Sequence, residues 1–198
     1  ASSDLDEYLI ESLKAQGAKI NSWGVGTNLI TCNDNPAFGG VYKLAAIKNK
    51  EDSDFVPKIK LSENVEKVTN PGNKTIMRIY DKATGKIRAD LICLEDEVFN
   101  PEEDIIIFDP MATWKKTKLA GGSYILRELL VPVFQKGHCV YTSPSVMEIR
   151  DICQKELDTL WDETRRFTNP QEVFVDLSDK LYKIKSELLE KMGQAAIE

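Results

Sequence analysis

The chain has 198 residues, enough for one large domain or two small ones. Its 26 basic and 32 acidic residues give a formal charge of −6, which argues against a general nucleic-acid surface. Hydrophobic residues make up 42% and charged residues 29%, an ordinary water-soluble mixture, and no apolar run approaches the ~18 residues of a membrane helix. Four cysteines (Cys32, Cys93, Cys139, Cys153) lack CxxC spacing, and with one histidine in the chain they make a zinc site improbable. Reduced thiols in a cytoplasmic protein are the expectation.

Taken in order, "DLDEYLIESLKAQG" predicts a helix with Leu5, Leu9 and Leu13 on one stripe. Ser3 or Asp4 is expected to cap it, with Glu7 adding capping-box character and Gly17 ending it. "AKINSWGV" reads as a short strand and "GTNLIT" as the opening of another helical turn. This is the rhythm of βα units, yet only "ASS" is available as the strand before Asp4. Such a unit cannot close a parallel sheet alone, so the chain reads as a fragment that begins inside a larger fold.

From Phe38 the pattern changes. "GGVYKLAAI" and "PKIKLSE" read as extended pieces, while "NKTIMRIYD" and "KIRADLICLED", joined by "KATG", form the clearest hairpin signal in the chain. "EDIIIFDP" is a strand ended by proline, and "GGSYILRELLVPVFQKGHCVY" continues with an extended piece and a turn at Lys136-Gly137. Two helices are expected to finish the chain. The first has Ser143 as cap and Pro144 at its first position, and buries Val146, Ile149, Cys153, Leu157 and Trp161 or Leu160. The second carries Leu177, Leu181, Ile184 and Leu188 at helical spacing. The organisation is therefore residues 1–37 as βα units, 38–135 as a β-rich region and 136–198 as a helical tail.

The glycine turn in "NSWGVGTNLIT" is the feature with chemistry in it. A phosphate dianion needs converging donors, and backbone N–H groups at a helix start supply them with help from the helix dipole. A side chain at the turn would hold the anion away, so Gly24 and Gly26 fit that place, and Thr27 can add a hydroxyl. A GxG turn is also common as a plain packing turn, and spacing alone leaves both readings open.

The string from "SSDLDEYLIESLKAQGAKINSWGVGTNLITCNDNPAFGGVYKL", with "PKIKLSENVEKVTNPGNKTIMRIYD", "ADLICLEDE" and "SPSVMEIRDICQKELDTLWDETRRFTNPQEVFVDLS", resembles bacterial nicotinate phosphoribosyltransferases. The likeness covers essentially the whole chain. It implies an α/β fold: an incomplete irregular α/β barrel of the type II phosphoribosyltransferase kind, then a mainly antiparallel β region and C-terminal helices. The implied reaction joins nicotinate to phosphoribosyl pyrophosphate, forming nicotinate mononucleotide and pyrophosphate in NAD salvage, with ATP hydrolysis and Mg2+. Homodimers with interfacial sites are implied too, and neither nucleic acid nor membrane is a partner.

By that resemblance Gly24, Gly26 and Thr27 hold the nucleotide's 5′-phosphate, and Asp4 hydrogen-bonds ribose hydroxyls, a job suited to a carboxylate that accepts from two neighbours. Asp4 as an N-cap is the competing reading. Ser3 stands where many relatives have asparagine. Lys43, Lys60 and Lys67 match cations that face pyrophosphate or ATP phosphates of the neighbouring subunit's site, where fixed charge lowers the barrier to the departing anion. A solvated lysine face is their bland alternative. Lys74 and Arg78 are better explained as exposed strand charges. The family's transiently phosphorylated histidine, its nicotinate-clamping arginine and its magnesium ligands are expected upstream, and His138 is not the phosphorylated residue. This chain alone is accordingly expected to be inactive. Nicotinamide or quinolinate phosphoribosyltransferases, and a non-catalytic assembly module, are the alternatives.

Overall fold

A computed structural model describes residues 1–37, 39–62, 67–112 and 114–195. Two compact units are present: residues 1–42 with 166–170, and residues 43–165 with 171–198.

The first unit is built on parallel pairing between its opening residues and residues 22–24. The Ala1 ammonium donates to the Ser22 carbonyl at 2.9 Å, the Gly24 N–H donates to the Ala1 carbonyl at 2.7 Å, and Ser2 and Gly24 form a parallel bridge. Between the two pieces runs α1 (Glu7–Ala15), as a parallel connection requires. After the bridge comes α2 (Thr27–Thr31). The "ASS" stretch therefore does act as strand, although the expected "AKINSWGV" strand is reduced to that one bridge. The expected cap of α1 is corrected. Asp6 holds the N-cap, with extended backbone and a carboxylate accepting the Leu9 N–H at 2.7 Å. Ser3 and Asp4 cannot serve, because their positive φ angles of 84° and 46° reverse the chain before the helix begins. Of the predicted stripe, Leu5 is buried while Leu9 is 42% exposed. Tyr8 meets Phe167 edge-on, with ring centroids 6.0 Å apart.

The second unit is a six-stranded mixed sheet. In chain order its strands are β3 (Lys74–Asp81), β4 (Ile87–Leu94), β5 (Ile105–Phe108), β6 (Lys116–Leu119), β7 (Tyr124–Glu128) and β10 (Val175–Ser178), arranged β6-β5-β10-β4-β3-β7. Two short hairpin pairs complete the described strands: β1 (Ala46–Ile47) with β2 (Val56–Pro57), and β8 (Phe134–Gln135) with β9 (His138–Cys139). "GGVYKLAAI" is thus extended into a ladder only at its end, and Glu63 of "PKIKLSE" lies outside the described residues. The "KATG" hairpin forms as read. Asp81 accepts from the amides of Ala83 and Thr84 at 3.1 and 2.9 Å, and Gly85 takes the left-handed φ of 69° that the turn requires. Alternation along β4 sends Ala89, Leu91 and Cys93 to one face, where Ile79, Ile107, Leu119 and Tyr124 complete a core. Leu94, on the other face, packs with Leu177 and Leu181.

The tail departs most from expectation. Leu177 is not in a helix but in β10, which inserts between β4 and β5, parallel to the first and antiparallel to the second. "VDLS" is a strand, buried from Asp176 onward, because the open slot in the sheet needs its backbone pairing. The helix α5 (Asp179–Ala195) then starts at Ser178, whose Oγ accepts the Leu181 N–H at 3.2 Å and donates to Glu97 at 2.6 Å. Its face covers the sheet, with Tyr182 stacked flat on Phe108 at 4.6 Å. Earlier come α3 (Val146–Asp158) and the short α4 (Asp162–Arg165), and α3 is capped by Ser145 rather than Ser143, in a full capping box with Glu148. Its expected apolar stripe lies open: Val146 is 80% exposed and Ile149 52%. What fixes α3 is polar. Arg127 and Glu156 form a two-pronged ion pair at 2.6 and 2.8 Å, and Lys86 donates to the Asp158 and Leu160 carbonyls at the helix end.

Candidate functional site

The residues singled out for ligand chemistry divide between the two units, and each set is described within its own. Asp4, Gly24, Gly26 and Thr27 belong to the first; Lys43, Lys60 and Lys67 belong to the second.

In the first unit, the two glycines do different things. Gly24's N–H is already taken by Ala1, so it offers no donor to a ligand. Its value is close approach: a Cβ there would lie 3.3 Å from Ser2 Cβ, tighter than the parallel bridge accommodates comfortably. Gly26 is the N-cap of α2, and its carbonyl accepts from Leu29 and Ile30, both at 3.1 Å. Among the described residues, the N–H groups of Gly26, Thr27 and Asn28 have no acceptor, and nothing lies within 4 Å of where a Gly26 Cβ would stand. Three successive main-chain donors are therefore left without a partner among the described residues, as the first amides of a helix are unless something caps them.

Asn28 links this turn to Asp4. Its Nδ2 donates to the Leu5 carbonyl at 3.2 Å and to the Asp4 carbonyl at 3.4 Å. The Ser3-Asp4 reversal, with both residues in the left-handed region at a cost of about 1 kcal/mol each, is held by that tether and by the Ala1 pairing. The Asp4 side chain is exposed and, among the described residues, unpartnered, since Asp6 does the capping. The Asp4 segment and the turn amides are thus joined through one side chain. Asn28 was not singled out from the sequence, because its partners lie 23 and 24 residues away and leave no local signal. On the flank of α2, an open 320 Å³ recess is lined by Asp6, Glu7 and Asp34. Those carboxylates disfavour a phosphate in that recess.

In the second unit, Lys60 and Lys67 are exposed and Lys43 half-buried, and none is in an ion pair among the described residues. The Thr69 N–H reaches the Lys60 carbonyl at 3.5 Å, which lays the segments bearing Lys60 and Lys67 side by side. Lys74 and Arg78 are not exposed strand charges. Lys74 is half-buried, with its ammonium on the Gly72 carbonyl at 2.6 Å and its pKa lowered by burial. Arg78 grips Asp90 with two nitrogens at 2.7 and 2.8 Å and touches Glu156 at 3.3 Å, and that hydrogen-bonded partner raises its pKa. Both serve the sheet. His138 is exposed beside the Lys136-Gly137 turn. Among the described residues, no helix is long and apolar enough to cross a membrane, and no three His, Cys, Asp or Glu side chains gather as a metal site.

The family described as "Nicotinate phosphoribosyltransferase C-terminal domain" matches residues 73–185, more than half of the chain. A Bacillus subtilis protein named nicotinate phosphoribosyltransferase is 40% identical over 98% of this chain and 40% of its own length. A Caenorhabditis elegans protein of the same name is 36% identical over 92% of this chain and 31% of its own length. The crystal structure of human nicotinic acid phosphoribosyltransferase superposes with a TM-score of 0.67 at 24% identity, covering 95% of this chain and 32% of that one, a likeness of fold. The chain thus spans 40% or less of the length of these relatives. On the match across the sheet and its inserted tail strand, this chain belongs to the nicotinate phosphoribosyltransferase family, to which it contributes the C-terminal domain and the residues leading into it.

Proposed function

We propose that this chain is the C-terminal portion of an enzyme that joins nicotinate to phosphoribosyl pyrophosphate, forming nicotinate mononucleotide and pyrophosphate. The observation that carries the reading is the 40% identity to the Bacillus protein over 98% of the chain, a span that takes in the Gly24–Thr27 turn as well as the sheet. The first unit's β-α-β pairing fits late segments of an irregular α/β barrel whose remaining strands belong to other parts of such an enzyme.

In this reading the open amides of Gly26, Thr27 and Asn28 receive the 5′-phosphate, with the Thr27 hydroxyl beside them. Each amide to a charged oxygen is worth roughly 1.5–3 kcal/mol net. Gly24 keeps the first strand close enough for the turn to form. Asp4 accepts ribose hydroxyls, positioned by Asn28. Lys43, Lys60 and Lys67 supply positive charge to leaving pyrophosphate or ATP phosphates in a partner subunit's site, which makes the assembly a homodimer. ATP hydrolysis would drive the equilibrium, with Mg2+ bound to its phosphates. Among the described residues no carboxylate cluster fits that metal. The 198 residues by themselves are expected to be inactive, since the family's phosphorylated histidine is expected upstream and His138 stands exposed beside a turn.

Steady-state synthesis of nicotinate mononucleotide by a complete enzyme containing this chain tests the assignment, with Gly26→Val as the variant. A KM for phosphoribosyl pyrophosphate and a kcat both equal to the parent's would refute it. ATP-dependent synthesis by the isolated chain would refute the expectation of inactivity.

A further inference from the structure

A cavity on the sheet stands apart from the phosphate reading. Between the strand face and the end of the α3 segment is a 480 Å³ cavity lined by Ile107, Leu119, Trp161, Phe174, Asp109 and Asp176. That volume falls in the range of small-molecule pockets, and Arg88, Lys115 and Thr117 line the cavity as well.

Asp176 is the anomaly. It sits in the middle of β10, 8% exposed, yet among the described residues its carboxylate makes no hydrogen bond and no ion pair. Its partner across the parallel ladder is Leu91, so it stands on the sheet's main hydrophobic face. Asp109 follows Phe108, which pairs with Leu177, and so is its cross-strand neighbour along the same cavity. Asp109 accepts the Met111 and Ala112 amides through one oxygen at 2.8 and 3.0 Å, which holds its pKa down and keeps it charged. Burial, and then that neighbouring charge, push the Asp176 pKa up. Among the described residues, neither cation lining the cavity forms an ion pair with these acids. Arg88 is engaged with Asp81 at 2.6 Å, and Lys115 lies exposed at the cavity without an ion pair to either acid. Two adjacent carboxylates in an apolar recess, one of them buried without a partner, are stable only with a bound positive charge or a proton. The Trp161 indole, fixed by its N–H to the Ile87 carbonyl at 2.7 Å, offers a rigid aromatic wall beside them.

We infer that this cavity binds a small organic ammonium ion, its charged head between Asp176 and Asp109 and its apolar body against Trp161 and Phe174. Phenethylammonium is a suitable probe, with phenethyl alcohol as its uncharged twin. Amide NMR spectra of the nitrogen-labelled chain should show saturable shifts at Ala89, Ile107 and Phe174, with a dissociation constant on the order of 1 mM for so small a ligand. Asp176→Asn should weaken binding about tenfold or more without lowering the unfolding temperature, because it removes a buried charge that no protein group satisfies. A purely structural aspartate would instead lose stability. Asp109→Asn provides the same binding test should the first variant fold poorly. Absence of shifts at about 20 mM probe, shifts confined to other regions, equal affinity of both variants, or equal binding of the alcohol would each overturn the proposal. So would a longer protein containing this chain that ignores the probe while the chain binds it, since one of the protein's own side chains would then fill the place.

Discussion

The two glycines of the turn make a paired prediction, because the structure gives them separate work. Gly26→Ala adds a methyl group where nothing lies within 4 Å, so it meets no protein atom, but it projects beside three amides that have no acceptor among the described residues. A phosphate seated on those amides must move outward by roughly the radius of a methyl group, losing one or two charge-assisted bonds. At roughly 1.5–3 kcal/mol each, that is about 1.5–6 kcal/mol, or roughly tenfold at the least in kcat/KM for phosphoribosyl pyrophosphate. Gly24→Ala instead brings a Cβ to 3.3 Å from Ser2 Cβ and 3.7 Å from the Ala1 carbonyl, which strains the strand bridge. Its effect should fall on stability more than on catalysis. The assay is steady-state formation of nicotinate mononucleotide by a complete enzyme with each variant, beside thermal unfolding of both. Should Gly26→Ala leave kcat/KM within about twofold, or should the Gly24 variant lose as much activity without loss of stability, the assignment of donors to Gly26–Asn28 is wrong.

Further tests address the sheet and its tail. Glu156→Gln removes the charge that Arg127 and Arg78 share on α3, and since the pair is partly solvated it should cost only about 1 kcal/mol in urea unfolding, with faster amide exchange in α3; unchanged exchange would show that α3 is held otherwise. The Asp81 carboxyl is held at about 2, against an ordinary 3.8, by the Thr84 amide first and then by Arg88. A lowered folded pKa means its contribution is complete above pH 3.8 and fades as pH falls through about 2, so the gap in melting temperature between the parent and Asp81→Asn should close over that window. A gap independent of pH would contradict this. Burial pushes the Cys93 thiol up to about 12, so a thiol reagent should label Cys32, Cys139 and Cys153 in the folded chain and reach Cys93 only on unfolding. Rapid labelling of all four would show that the core around Cys93 opens readily.

The sequence determined what depends on neighbours along the chain. The β3–β4 hairpin was legible because alternation fixes which side chains face the core and Asp81 with Gly85 fixes the reversal. The start of α2 at the glycine turn was legible for the same reason, and so was the family, through strings that run across the whole chain. Local patterns misled where two readings share a period or a cap. Leu177 and Leu181 are four apart as in a helix, yet only Leu181 is helical, because the gap between β4 and β5 recruits "VDLS" as a strand. Asp4 and Asp6 both suit a cap, and the choice went to Asp6 once the parallel bridge bent the chain at Ser3-Asp4. Tertiary structure alone decided that, among the described residues, Gly24's amide is taken while Gly26's has no acceptor, that Asn28 binds the backbone at Asp4, and that Asp176 is buried without a hydrogen bond. Each of these depends on a contact between segments distant in sequence, and hydrogen-bond saturation and desolvation are properties of the packed neighbourhood, which no window of residues contains.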